Sequence, residues 1–137
     1  MRFSLDNICD CEIYQYPYLH LIELKTVGTP SASLTSLFGK WDEKRGEYKK
    51  QKHLREMRDA ARNPGVTASV IINFREVRHT YAVTPQAVLD FIEAGGRKSI
   101  PEYWCVQHGI CVEAKALRVN WRYDVSGLLR DLKRNEA

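Results

Sequence analysis

The sequence predicts a single α+β domain, residues 1–137, built on an antiparallel sheet of about four strands. Segments rich in branched and aromatic residues alternate along the chain with segments whose apolar residues recur every three or four positions. A length of 137 residues is typical of one domain. The sequence shows no linker and no internal repeat, so we expect one core.

The segment CEIYQYPYLHLIELKTV, residues 11–27, predicts the first strand. Branched and aromatic residues favour strands, and the turn-like sequence GTPSAS follows. Pro17 has no N–H to donate to a neighbouring strand. We therefore expect this strand to begin after Pro17 or to lie at an edge of the sheet.

Residues 33–62 predict two helices, because their apolar residues recur at helical spacing but point in opposite directions in the two halves. One straight helix could not bury both sets. We expect a break near Gly46, with Gly39 as the alternative, and an end at the sequence NPG. The first set is Leu34, Leu37, Phe38 and Trp41, and the second is Leu54, Met57 and Ala61.

Residues 66–84 are too long for a single strand and predict a hairpin that turns around Arg75 and Glu76. The sequence TPQAVLDFIEAGG then predicts a helix with Thr84 as its N-cap, Pro85 in its first turn and Gly95 beyond its end.

The segment KALRVNWRYD, residues 115–124, alternates apolar and polar residues and predicts a half-buried last strand. Apolar residues between Val125 and Leu132 predict a short terminal helix. The order becomes β-α-α-β-β-α-β-α, which is the split-βαβ, ferredoxin-like arrangement with extra helices. The connection from Gly95 to about Lys115 is unusually long, and long connections often carry function.

The composition indicates a compact protein that folds without metal or disulfides, with 44% hydrophobic and 28% charged residues. The first fifteen residues lack the apolar core of a secretion signal, and no apolar run has the length of a membrane span. We expect a cytoplasmic protein that does not contact membranes. In that compartment its four cysteines are free thiols or metal ligands rather than structural disulfides.

Basic residues concentrate between Lys40 and Arg62, where nine basic and five acidic residues give the +4 excess of the whole chain. Such surfaces bind phosphate backbones without recognising base sequence. We therefore expect a small, non-catalytic protein that contacts nucleic acid or a nucleic-acid-handling complex. The predicted contacts are Lys49, Lys52, Arg55, Arg58 and Arg62 on the second helix and Arg118 and Arg122 on the last strand; Tyr14, Tyr16, Tyr18 and Trp104 could stack on bases if exposed.

A second hypothesis is a protein-binding inhibitor or adaptor, of the kind that phages and other mobile elements encode against host proteins. Opposite charges four residues apart, such as Lys52 with Glu56, are also typical of an ordinary solvated helix face. Binding by such a protein would depend on exposed aromatic residues and would survive salt.

A third hypothesis is a zinc site in the sequence YWCVQHGIC. Cys105, His108 and Cys111 form C-x2-H-x2-C, and Cys9 or Cys11 could complete a tetrahedral ligand set. Alternatively, the two cysteines are small buried residues beneath a loop. A Cys and a His three residues apart could also be a nucleophile and its base, but no third orienting group is evident, so we assign no catalytic residues and expect no cofactor.

Overall fold

Strands and helices alternate along the chain, which the computed structural model describes over residues 9–112, 114–116, 121–123, 128 and 130–132. The strands are β1 (Cys11–Gln15), β2 (Tyr18–Val27), β3 (Ser31–Ser33), β4 (Trp41–Asp42), β5 (Glu47–Tyr48), β6 (Val66–Phe74), β7 (His79–Val83), β8 (Ser99–Pro101), β9 (Ile110–Cys111), β10 (Ala114–Ala116) and β11 (Trp121–Tyr123). The helices are α1 (Leu34–Phe38), α2 (Gln51–Ala60), α3 (Pro85–Ala94) and α4 (Glu102–His108). The predicted α+β class is confirmed.

The central sheet has five strands in the order β1-β2-β6-β7-β9. Every neighbouring pair is antiparallel except β2 and β6, which run parallel from Leu19 beside Val66 to Val27 beside Phe74. The sheet is therefore mixed, and the predicted four-stranded antiparallel arrangement is corrected. Residues 28–65, which include α1 and α2, connect β2 to β6. Because β6 lies directly beside β2, no other strand is placed between them, as the predicted split-βαβ arrangement would require.

The predicted first strand is two strands, because the chain turns at Tyr16 and Pro17 and folds back as the β1–β2 hairpin. The prediction that a strand begins after Pro17 or lies at a sheet edge is confirmed. β2 begins at the next residue, and β1 lies at an edge of the central sheet. A proline inside the paired region would have removed a ladder hydrogen bond.

The first predicted helix stops at Phe38, since Gly39 has a φ of +83°. Trp41 then belongs to β4, which pairs with β5 through a turn in which Asp42 accepts hydrogen bonds from the backbone N–H groups of Lys44 and Arg45. The helix break predicted near Gly39 or Gly46 is thus a small hairpin. Beyond it, α2 buries Leu54 and Met57 as expected.

The hairpin predicted in residues 66–84 is confirmed as β6 and β7, with Phe74 beside His79 at its closed end. The next helix is also confirmed. The Thr84 hydroxyl accepts the N–H of Ala87, Pro85 stands at the start of α3, and Gly95 follows its end.

The connection predicted between Gly95 and Lys115 contains regular structure. β8 pairs with β3, α4 follows, and β9 pairs with β7. YWCVQHGIC therefore forms most of a helix and a strand. The predicted last strand is two short strands, β10 and β11, which pair with each other. Leu128 and residues 130–132 are helical, in agreement with the predicted terminal helix, whose other positions lie outside the described residues.

The main core lies between the sheet and the four named helices. Val70, Ile72 and Phe74 of β6 belong to one buried cluster that includes side chains from all four of these helices. A smaller apolar group on the opposite sheet face joins Ile71 and Ala82 to Leu128 and Leu132. Across the described part of the chain, no helix has both the length and the apolar character needed to cross a membrane.

Candidate functional site

A cleft of about 500 Å³ opens at the sheet where β7 ends. Val83 pairs with Val70, and the chain then leaves the sheet to begin α3. Residues 66–69 of β6 extend beyond this point and pair with β2. The end of α2, the start of α3 and the end of α4 surround the space that β7 leaves.

Arg58 and Arg62 line this cleft from the last turn of α2 and the residues after it. Arg58 Nε lies 3.0 Å and Arg62 Nη1 3.3 Å from the same oxygen, Asp59 Oδ1. Because one carboxylate is shared by two guanidinium groups, the three side chains carry a net charge of +1. The remaining guanidinium donors can bind an anion.

Arg55 has a different environment on the same helix. Its two terminal nitrogens lie 2.6 and 3.2 Å from the two carboxylate oxygens of Glu47 on β5. This hydrogen-bonded pairing lowers the pKa of Glu47, and burial opposes the effect more weakly. Arg55 therefore joins α2 to the β4–β5 hairpin through two hydrogen bonds. Arg45 Nη2 lies 3.4 Å from Glu47 Oε1, so these three side chains also carry a net charge of +1, but away from the cleft.

Three of the other predicted nucleic-acid contacts, Lys49, Lys52 and Arg55, do not line the cleft. Lys49 is exposed before α2 begins, and Lys52 is half-buried in the first turn of that helix. Arg122 belongs to β11, but its side chain lies outside the described part of the structure, as does the whole of Arg118. The structure thus brings Arg58 and Arg62 together at the cleft and leaves Lys49, Lys52 and Arg55 outside its lining.

The cysteine and histidine set does not converge. Cys105 belongs to α4 and is fully buried in the core, and this burial raises its pKa to about 12. His108 ends α4 and stacks on Trp104 at 4.9 Å between ring centroids, whereas Cys111 is exposed on β9. Within the described ranges, no three His, Cys, Asp or Glu side chains are placed to hold a metal ion.

Cys9 and Cys11 lie at the other side of the sheet from that set. Cys11 begins β1, which is separated from β9 by three intervening strands. Four strand spacings amount to roughly 19 Å. The proposed completion of a zinc site by either cysteine therefore finds no support in this geometry.

Ser69 is a cleft residue that the sequence analysis missed. It lies on β6 at 1% exposure, and its hydroxyl has no hydrogen-bond partner in the part of the chain described. Its neighbour on the same sheet face, Thr67, has one: His20 Nδ1 lies 2.5 Å from Thr67 Oγ1. The only sequence signal was the small polar residues at alternate positions of a buried strand.

A second polar group joins α4 to β7 outside the cleft. The Tyr81 hydroxyl donates to Glu102 Oε2 at 2.6 Å, and His79 Nδ1 lies 2.6 Å from the same oxygen. These hydrogen bonds, that of Tyr81 above all, lower the pKa of Glu102, although burial opposes them. The arrangement is well suited to hold α4 in place, and it was not visible in the sequence because 21 residues separate Tyr81 and Glu102.

The aromatic residues considered for stacking are divided between surface and core. Tyr14 and Tyr16 are exposed at the β1–β2 hairpin, and Tyr18 is half-buried beside His20. Trp104 packs edge-on against Phe91 in the core, so it is not available to stack on bases.

Comparison with known proteins finds no matching protein-family model and no significant match to a curated protein.

Proposed function

We propose that this is a non-catalytic binding protein that contacts nucleic acid, or a complex that handles nucleic acid, through Arg58 and Arg62. One observation carries the proposal: Arg58 and Arg62 both line one cleft, and their guanidinium groups share a single carboxylate, that of Asp59. The positive charge left over is therefore concentrated at a concave surface, where a phosphate group can approach two donors at once.

The mechanism is electrostatic neutralisation of phosphates. Each phosphate contacted by an arginine releases counterions from the nucleic acid, so affinity falls as salt rises. Arg55 contributes by positioning α2, since Glu47 already occupies its guanidinium group. Lys49 and Lys52 add positive charge farther along the same segment. A cytoplasmic location fits this function and the four free cysteines.

Binding of a fluorescent 20-nucleotide single strand over a range of salt concentrations tests the proposal. Arg58→Gln together with Arg62→Gln should lower the slope of log K against log salt by about 1.4, since each phosphate contact on single strands contributes about 0.7. Lys40→Gln together with Lys44→Gln is the matched control, because it removes the same charge from exposed positions away from the cleft. Equal slopes for the two double variants would exclude Arg58 and Arg62 as phosphate contacts.

A protein-binding inhibitor or adaptor is the second candidate, and the exposure of Tyr14 and Tyr16 at the edge hairpin favours it. Exposed aromatic residues on an edge strand are typical anchors of protein interfaces. Binding of this kind would persist at high salt and be lost when both residues are changed to Ser. The cleft double variant would leave it unchanged.

A further inference from the structure

We propose that β1 is a dimerisation edge, at which two copies of this chain pair their β1 strands antiparallel about a two-fold axis at Ile13 and so join their central sheets into one continuous sheet. This inference goes beyond the proposed function, because Arg58 and Arg62 lie at the end of α2 and take no part in the pairing.

The two edges of the central sheet differ. β9 has two residues, which is too short to guide the pairing of another strand. β1 has five residues and contains neither lysine nor proline, which commonly protect an exposed edge. Within the described part of the chain, no strand pairs with the outer side of β1. β1 is therefore the edge that can accept a further strand.

The backbone groups on the outer side of β1 belong to Glu12 and Tyr14. The Leu19 N–H donates to the Gly65 carbonyl at 2.7 Å, so Leu19 directs its backbone groups away from β1. Tyr14 lies directly opposite Leu19 and must direct its own groups away from β2, and by alternation Glu12 does the same. The outer side of β1 thus presents the N–H and the C=O of both residues to a partner strand.

A two-fold axis at Ile13 gives this edge a complementary partner in its own copy. Glu12 of one chain then lies opposite Tyr14 of the other, so every outward N–H and C=O of both strands is paired. The Glu12 carboxylate faces a phenol, whereas an axis at Glu12 would place two carboxylates opposite each other. An axis at Tyr14 would place Ile13 beside the polar Gln15.

The sheet face that carries Ile13 favours the same axis. Ile13 is half-buried against the smaller apolar group, and together with the exposed Leu24 it lines an apolar groove of about 360 Å³. The two Ile13 Cα atoms of the dimer would lie about 4.5 Å apart, so their side chains would bury each other. One short strand from each chain makes a small interface. We therefore expect a weak dimer, half-formed at a chain concentration on the order of 100 µM.

Sedimentation equilibrium at rising protein concentration tests the dimer, and the molar mass should move from 15.9 kDa towards twice that value. Tyr14→Pro should keep the monomer mass. Proline lacks the N–H that would reach the partner strand, but its ring removes no hydrogen bond between β1 and β2. Tyr14→Phe is the matched control, because it retains this N–H and should still dimerise.

Oxidation of the Gln15→Cys variant tests the register without relying on a proline. Gln15 of one chain would lie opposite Cys11 of the other at about 4.5 Å between Cα atoms, which suits a disulfide. Within one chain the two positions are about 13 Å apart along β1, too far to be bridged. We expect a covalent dimer on mild oxidation, and its loss when Cys11→Ser is added.

Each outcome decides the inference. A monomer mass at every concentration would overturn it, would leave the proposed contact with nucleic acid untouched, and is the result expected if a strand of another protein adds to β1. A dimer that persists in Tyr14→Pro would place the interface on another surface and also overturn the inference. If Tyr14→Pro fails to fold, the cross-link decides alone, and its absence in Gln15→Cys would overturn the pairing at Ile13.

Discussion

The Tyr81 hydroxyl donates a hydrogen bond of 2.6 Å to Glu102 Oε2 and so joins β7 to the first turn of α4. The bond is at the first turn of α4, and His108, at the other end of this helix, lines the cleft. By holding α4 against β7, the bond holds one wall of the cleft. The position of the cleft wall therefore depends on a contact that lies outside the cleft.

Stability should fall at both extremes of pH because of this contact. The pKa of Glu102 is lowered in the folded state, chiefly by the Tyr81 hydrogen bond, so its stabilisation is present above the ordinary value of 4.5 and is lost as pH falls through the folded pKa. Burial and Glu102 raise the pKa of Tyr81 above its ordinary value of 10.0, so that stabilisation is lost as pH rises above 10.

Urea unfolding across the pH range measures this effect. Glu102→Gln should lower the free energy of unfolding at pH 7 by about 1 to 2 kcal/mol, as expected when a hydrogen bond to a charged group is weakened. It should also flatten the decline of stability below pH 4.5. A variant as stable as the wild-type protein at pH 7, with the same acid profile, would contradict the assigned role.

Arg55 and the Arg58/Arg62 pair should behave differently. Arg55→Gln should lower the free energy of unfolding by about 0.5 to 1 kcal/mol, since its partly exposed ion pair with Glu47 is lost. It should change the affinity for a single strand by less than a factor of about two, whereas a lost phosphate contact costs more. Parallel urea unfolding and anisotropy titrations check both values. A large affinity loss without destabilisation would place Arg55 at the interface.

Gly109 should not tolerate a side chain, although its φ of −126° suits any residue. An added Cβ would lie 2.7 Å from the Ala82 carbonyl oxygen and 2.8 Å from that of Cys105. Gly109→Ala should cost about 1 to 3 kcal/mol, the range for overpacking a close contact.

Gly28→Ala provides a matched control for that substitution. Its added Cβ would meet Arg75 Nη2 at 2.8 Å, the far end of a flexible side chain that can move away. We therefore expect little change in the melting temperature of this variant and a clear decrease for Gly109→Ala. Equal melting temperatures would show that the end of α4 is not packed against β7 as described.

Cys105 should be the slowest of the four cysteines to react with a thiol reagent. It is fully buried, and its pKa of about 12 leaves little thiolate at pH 8, whereas Cys111 is exposed. Mass spectrometry after timed labelling of the native protein identifies the order. If Cys105 were labelled as fast as Cys111, the placement of α4 would be contradicted. If all four cysteines were protected from labelling and a chelator removed this protection, the zinc hypothesis would be revived.

Local patterns predicted those elements whose residues are neighbours in sequence. α3 has an apolar face between the Thr84 cap and Gly95, and α2 has an apolar face that ends before the sequence NPG, although Lys50 makes no side-chain cap at its start. The β6–β7 hairpin followed from a segment too long for one strand. α4 has seven residues, of which Trp104 and Cys105 are buried, and this is too short to show a helical period.

Pairing between distant segments was not predictable in the same way. The parallel contact of β2 with β6 depends on where a long connection returns the chain, which the apolar pattern does not encode. For the cleft, charge alone identified Arg58 and Arg62. Ser69 escaped notice because the environment of its hydroxyl depends on where β7 leaves the sheet.

The most direct test of the central claim observes the arginine side chains themselves by nuclear magnetic resonance. When a single strand of nucleic acid is added to ¹⁵N-labelled protein, the side-chain signals of Arg58 and Arg62 should shift and saturate together, while those of Arg55 should stay in place. Unchanged Arg58 and Arg62 signals at saturating strand, or shifts confined to other arginines, would contradict the account.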